Sequence, residues 1–237
     1  MKSGEIVALE IVRDIAARGL SAGAKLPSES EMVVKYGFSR PTVREALRLL
    51  EFQGLISIRP GPGAGTVVGA VSTEKLGDTL TLYLHLMGAT YRELTEAWRD
   101  TEGMLAERAA QNPDRDRVRE IMEPYLDQQV CCERDSIRGG AAGFHTEVAE
   151  LASNRVLALS IRSIAGIAAQ YVAKNLPDLS RGALYADHSG IAKAIIDGDP
   201  ILARKFMRDH IDHIDAHFAR LWPEKIGEPL RWPDGRP

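Results

Sequence analysis

The sequence predicts a mainly α-helical protein in two parts: a helix-turn-helix with a small β-hairpin, then an all-α antiparallel helical bundle. Three observations carry this. Apolar residues recur three and four apart through most of the chain, the period of a helix with one buried face. Caps and breakers punctuate that pattern, with Ser28-x-x-Glu31, Ser39, Thr90-x-x-Glu93, Asn154 and Asp199-Pro200 at starts and Gly37, Gly54 and Gly198 at ends. Two short runs, Leu55 to Ile58 and Thr66 to Val68, are apolar and β-branched and flank the turn RPGPGAG, a hairpin signal.

Glu5 to Arg18 carries Ile6, Leu9, Ile11, Val12 and Ile15 at helical spacings and stops at Gly19, so a first helix packs behind the next two. Pro27 prevents anything upstream from running through, Ser28 and Glu31 form a capping box, and Met32, Val33 and Tyr36 give the second helix its inner face. Gly37 supplies a sharp turn. Ser39 caps the third helix, with Pro41 in its first turn, where a missing N–H costs nothing. Along that helix Val43, Ala46, Leu47 and Leu50 make an apolar stripe, while Arg40, Arg44 and Arg48 line up four apart on another face. Two helices joined by a short turn present the start of the second to the major groove of duplex DNA; here that start is Ser39, Arg40, Thr42 and Arg44. The competing reading is a solvated surface helix with three arginines.

Gly69 to Thr73 is a linker of small residues, and Ser72 or Thr73 caps a helix with Leu76, Leu80, Leu84 and Met87 on one stripe. Thr90-x-x-Glu93 opens a helix carried by Leu94, Ala97, Trp98, Thr101 and Leu105 and stopped near Asn112-Pro113. Val118, Ile121, Met122, Tyr125 and Leu126 mark a further long helix before Gly139-Gly140. From about Ala141 the pattern resumes with Phe144, Val148 and Leu151, and Asn154 caps a helix built on Leu157, Ile161, Ile164, Ile167 and Tyr171. Two more helices run from about Asp178 to Asp197 and from Asp199-Pro200 to Trp222. The tail GEPLRWPDGRP has too much Pro and Gly for regular structure and is expected to be mobile. The expected organisation is therefore residues 1–70, 72–222 and an irregular 223–237.

A chain of 237 residues and 26.0 kDa is long enough for two modest cores. Its net charge of −3 advertises no polyanion partner globally, but the first seventy residues are slightly basic and the rest acidic, which suits a local patch on duplex DNA. Cys131 and Cys132 are adjacent and cannot pair without strain, which fits a reducing cytoplasm. The N-terminus lacks a signal-peptide pattern, and the longest apolar stretch, Leu80 to Met87, is too short to span a bilayer. There is neither a phosphate-cradling glycine loop nor a GxSxG elbow. In the second part His145, His188 and His210 fall where helical stripes are expected to be buried, with His213 and His217 further along the last helix. Imidazoles facing inward from three helices can converge on one divalent metal; otherwise they are ordinary core residues.

With these residues in view, the front of the chain resembles the winged helix-turn-helix of the GntR family of bacterial transcription regulators. It matches that motif at Leu26, Pro27, Ser28, Glu29, Gly37, Ser39, Arg40, Thr42, Val43, Arg44, Glu45, Ala46, Leu47, Leu50 and Gly54. Ser30 stands where members usually carry a DNA-contacting Arg. The resemblance implies that Ser28, Glu29, Ser39, Arg40, Thr42, Arg44 and Arg48 face operator DNA and that Arg59 and Gly61 in the wing reach it from the side.

The second part is similar to the FCD ligand-binding domain of the FadR-like branch of that family. The marks are Glu102 with Leu105, Ala109 and Ala110, then Phe144-His145, Asn154, His188, Gly198-Asp199 and His210. Metal-binding members supply Asp and His from D-x-x-F-H and two later histidines. Here His145, His188 and His210 match the histidines and Ala141 takes the place of the Asp, while Trp98 stands where many members have Arg, beside Arg99. The resemblance implies a Zn²⁺ or Ni²⁺ site with an open position for the carboxylate of a small acid, with Trp98, Arg99 and Asn154 near the ligand; the alternative is a metal-free pocket for a larger or more apolar ligand. It further implies a homodimeric, ligand-responsive regulator, more often a repressor, on a near-palindromic operator. A zinc hydrolase or a constitutive DNA-binding protein with a purely dimerising body are the competing classes.

Overall fold

A computed structural model describes residues 2–59, 65–70, 73–127, 142–175 and 181–230. Gly61, Ser72, Cys131, Cys132, Gly139, Gly140, Ala141 and the Tyr171 side chain lie outside the described set. Among the described residues there are ten α-helices and one two-stranded antiparallel sheet, and no helix is long and apolar enough to cross a membrane. The chain divides into two compact units, Met1–Leu76 and Gly77–Pro237.

In the first unit α1 (Ser3–Ala17), α2 (Glu29–Tyr36) and α3 (Arg40–Phe52) close around one core. Its fully buried members are Val7, Ile11, Met32, Val43, Ala46, Leu47, Leu50 and Ile56. The stripe of α3 is buried as its spacing predicts. On α1 the inward face is instead Gly4, Val7, Ala8 and Ile11, and Ile6 and Leu9 stand exposed. Gly4 lies on that inward face, where a Cβ would come within 2.8 Å of the flexible Glu45 side chain of α3. Gly37 takes φ +71 between α2 and α3, a left-handed conformation costly for any residue with a Cβ. Strands β1 (Ile56–Arg59) and β2 (Gly65–Val68) pair from Ile56 opposite Val68 to Arg59 opposite Gly65. Leu26 N donates to Thr66 O at 2.9 Å and Val68 N to Ala24 O at 2.9 Å, so the chain before α2 anchors the hairpin to the helices.

The second unit is built on a long antiparallel pair, α5 (Tyr91–Ala110) and the last helix, α10 (Pro200–Leu221). Three ion pairs tie their outer edges: Arg99 to Asp212 at 2.8 Å, Arg208 to Asp100 at 3.2 Å and Arg204 to Glu107 at 2.8 Å. Around them lie α4 (Thr73–Leu86), α6 (Arg115–Met122), α7 (Ala142–Leu151), α8 (Arg155–Asn175) and α9 (Arg181–Asp197). Two apolar clusters form the interior. One gathers Leu105, Phe144, Val148, Leu151, Ile191, Ile195 and Met207; the other gathers Tyr91, Leu94, Trp98, Ile211, Ile214 and Phe218. Arg115 donates to the carbonyls of Ala110, Ile195 and Ile196 at 2.9, 2.9 and 2.6 Å, which joins the C-terminal ends of α5 and α9 and satisfies acceptors that a helix end leaves open.

Four further expectations are corrected. The predicted long helix over Val118 to Leu126 ends at Met122 and continues as a 3-10 turn, Glu123–Leu126, because Pro124 lacks the N–H an α-helix needs and its ring crowds the preceding turn. On α4, Gly77 and Thr81 are buried while Leu76, and Met87 just past the helix end, are exposed; a Cβ on Gly77 would already lie 3.3 Å from the Ser163 carbonyl, so the small residue sets the face. Ala97 on α5 is exposed. The beginning of the tail is anchored: Ile226 and Leu230 join the second cluster, and Leu230 N donates to Ala89 O at 2.7 Å while its carbonyl meets His85 Nδ1 at 2.7 Å.

Candidate functional site

In the first unit the chemistry is exposed. Ser39 accepts from Thr42 N at 3.4 Å and its hydroxyl meets that of Thr42 at 2.8 Å, fixing the first turn of α3. Ser28 N donates to Glu31 Oε2 at 2.7 Å and Glu31 N to Ser28 Oγ at 3.3 Å; the bonds that Ser28 donates to its carboxylate, side chain first, hold Glu31 below its usual range and set the start of α2. Arg40, Arg44, Arg48 and Arg59 are all exposed, the first three along one groove-lining face of α3 with Pro41, Glu45, Leu49 and Phe52. Two of them are oriented by α2. Arg44 donates through Nε to Glu29 Oε2 at 2.9 Å, and Arg40 through Nη2 to Ser30 Oγ at 3.2 Å. The Arg44 contact leaves its two terminal nitrogens as a fork for a further acceptor.

In the second unit the chemistry is buried. His145 on α7, His188 on α9 and His210 on α10 are 6, 0 and 1% exposed, and one nitrogen from each lies within 4.8 Å of the others. His188 Nε2 and His210 Nε2 are 3.3 Å apart, about the separation two imidazoles take when both bind one tetrahedral ion at roughly 2.0–2.1 Å. Phe144 stacks on His188 with ring centroids 4.2 Å apart, and Trp98 flanks His145 at 5.9 Å.

Carboxylates behind the rings set their tautomers. His145 Nδ1 meets Glu102 Oε2 at 3.0 Å and His210 Nδ1 meets Asp187 Oδ2 at 3.1 Å. An ionised carboxylate only accepts, so Nδ1 carries the hydrogen on both rings and Nε2 keeps its lone pair. Asp187 also receives His213 Nδ1 at 3.2 Å. The bond from His210, helped by His213, holds Asp187 below its ordinary range against the opposing effect of burial. Burial pushes His188 well below the usual imidazole value, with His210 and His145 adding to it. Burial also lowers His210, against the pull of Asp187. Both rings are thus neutral at pH 7, the form that binds a metal.

Of the ligand residues expected from sequence, Trp98 lies beside the histidines, Arg99 is paired with Asp212, and Asn154 spends its side-chain oxygen on Val156 N and Leu157 N at 3.1 and 3.0 Å as the cap of α8. Glu102 and Asp187 were not among the expected site residues. Glu102 is the one charged residue on the inward α5 stripe of Trp98, Leu105 and Ala109, a signal present in the sequence; Asp187, next to His188, gave none.

Comparison with known proteins agrees with this architecture. Residues 4–68 match the family described as bacterial regulatory proteins, gntR family, and residues 93–213 match the FCD domain. The chain is 26% identical over 238 residues to the HTH-type transcriptional repressor NanR of Citrobacter rodentium, covering 93% of this chain and 86% of that protein. To the NanR of Escherichia coli K12 it is 26% identical over 236 residues, covering 91% and 84%. Among solved structures, Streptococcus agalactiae GntR shares the fold with a TM-score of 0.63 at 24% identity, over 90% of this chain and 99% of that one.

Proposed function

The chain belongs to the GntR family of bacterial regulatory proteins and carries an FCD domain behind its reading head, and on that premise we propose residue roles for a ligand-responsive, DNA-binding transcription regulator. Its family and relatives are transcription regulators and not enzymes. Residues 1–70 read DNA and 72–222 bind the effector and dimerise. Arg40 and Arg44 contact base edges near the start of α3, each bidentate arginine–guanine pair contributing about 1–3 kcal/mol of discrimination. Arg48 and Arg59 neutralise phosphates, and Ser28, Ser39 and Thr42 set the helix starts that aim them. The same proposal gives Gly61, which lies outside the described residues, a contact with the minor groove. A homodimer places two such heads on the two halves of a near-palindromic operator.

In the second unit His145, His188 and His210 hold one divalent transition metal, Zn²⁺ or Ni²⁺. The observation that carries this reading is the convergence of three buried imidazoles from α7, α9 and α10, two of them with Nε2 freed by a carboxylate behind the ring. Three nitrogens and an open position suit an ion that accepts an anionic oxygen as its next ligand. The effector is accordingly a small organic acid whose body packs against Trp98. It acts by favouring one arrangement of the protein, through differential affinity alone. Elemental analysis of untagged protein tests the metal, with about one transition metal per chain expected. A thermal-shift panel of small carboxylates, with and without added metal, tests the effector. A body that only dimerises would respond to none of them.

A further inference from the structure

We propose that Glu102 is the anionic partner of this metal centre, a positioning residue that acts through His145. The inference rests on the three-histidine reading and adds to it the charge that reading lacks. Three imidazole ligands bring no negative charge to a divalent ion, and Glu102 stands directly behind one of them. Its side chain is wholly buried. Its Oε2 accepts from His145 Nδ1 at 3.0 Å, while its Oε1 has no hydrogen-bond partner among the described residues.

A buried carboxylate with one oxygen unsatisfied is a costly arrangement unless a cation or a donor arrives to complete it. Nothing in the packing of α5 demands one there: its neighbours on the stripe, Leu94, Trp98, Leu105 and Ala109, are buried and largely apolar. A glutamate at this point is therefore a liability in the metal-free protein and an asset in the loaded one. Once an ion sits on the three histidines, Glu102 raises the basicity of His145, fixes that ring with its lone pair inward and balances part of the added charge. Oε1 is left to accept from a donor that enters with the ion or with the effector.

The test compares the full-length, chelator-stripped wild type with Glu102→Gln, which keeps the shape and removes the charge. Titration with Ni²⁺ or Zn²⁺ against a competing chromophoric chelator should give one ion per chain in both, with affinity about ten- to a hundredfold weaker in the variant. The Co²⁺ absorption bands should keep their positions, because Glu102 is no ligand. Thermal unfolding supplies the readout that a purely structural role would not produce: without metal the variant melts at or above the wild-type temperature, and the upward shift caused by metal shrinks. Equal metal affinity in the two proteins, or a metal-free variant that is less stable while its metal-induced shift is unchanged, would overturn the proposal. A wild type that binds no metal would instead overturn the three-histidine reading.

Discussion

The two units use one sequence device in opposite senses. On α3 an apolar stripe holds the helix down and leaves Arg40, Arg44 and Arg48 in solvent. On α5, α7, α9 and α10 the polar residues lie on the buried side, and Glu102, His188 and His210 are at most 1% exposed. On the proposed roles, the difference follows from the size of what each unit meets. A duplex is too large to enclose, so its reader carries exposed cations, screened by salt and oriented by short local bonds such as Glu29 to Arg44 at 2.9 Å. A metal and a small acid can be enclosed, and burial strengthens each interaction with them while penalising any partner left unmatched.

The largest expected break in that comparison is Arg44→Ala. On the proposed roles it removes a base-reading side chain from each half-site, worth about 1–3 kcal/mol apiece, so preference for operator over unrelated DNA should largely vanish in a gel shift while circular dichroism and dimer mass are unchanged. A preserved preference would show that Arg44 reads no base. His188→Ala is the matching cut in the second unit. It should abolish stoichiometric metal binding by elemental analysis and leave operator affinity without effector intact. The two defects together would show that the units fail independently.

Acid should separate the units more gently. Burial holds His188 and His210 below the ordinary imidazole value of 6.5, so below about pH 6.5 the unfolded chain takes up protons that the folded one refuses, and stability falls as pH falls. In the first unit Asp14 is held below 3.8, first by its bond from Lys35 and then by that from Tyr36. Its contribution is therefore fully present above that value and is lost only below it. In metal-stripped protein, protection against hydrogen exchange, taken relative to the intrinsic rate at each pH, should fall between about pH 6.5 and 5 around α9 and α10 and stay level in α1 and α3. The smallest expected effect is that of Arg48→Ala, which should weaken binding to all sequences alike and lower the slope of log affinity against log salt by about one for each phosphate left without its cation.

The legibility of the sequence differed along the same division. The caps Ser28, Ser39, Thr90 and Asp199, the stripe of α3 and the hairpin were readable because each depends on residues within a few positions. The three histidines were readable as inward positions on separate helices. Glu102 stood out as a lone charge on an apolar stripe, but which rings it and Asp187 support was not readable, because they meet rings 43 and 23 residues away, and only packing decides such partners. Leu230 escapes such reading for a similar reason: a Pro- and Gly-rich tail carries no period, yet one leucine in it is fully buried. The long helix expected through Leu126 failed on a single local feature, Pro124, which the apolar spacing around it concealed.

An exposed cationic helix in one unit, on this account, reads DNA under the control of a buried histidine site in the other. The most direct test follows the fluorescence anisotropy of labelled DNA from upstream of the chain's own transcription unit, at moderate salt, against wild type and His188→Ala, with and without a panel of small carboxylates and added Zn²⁺ or Ni²⁺. Preferential binding by both proteins, with at least one acid changing the affinity of the wild type alone, is the predicted result. No preference for any such site, or a response that survives loss of His188, would contradict it.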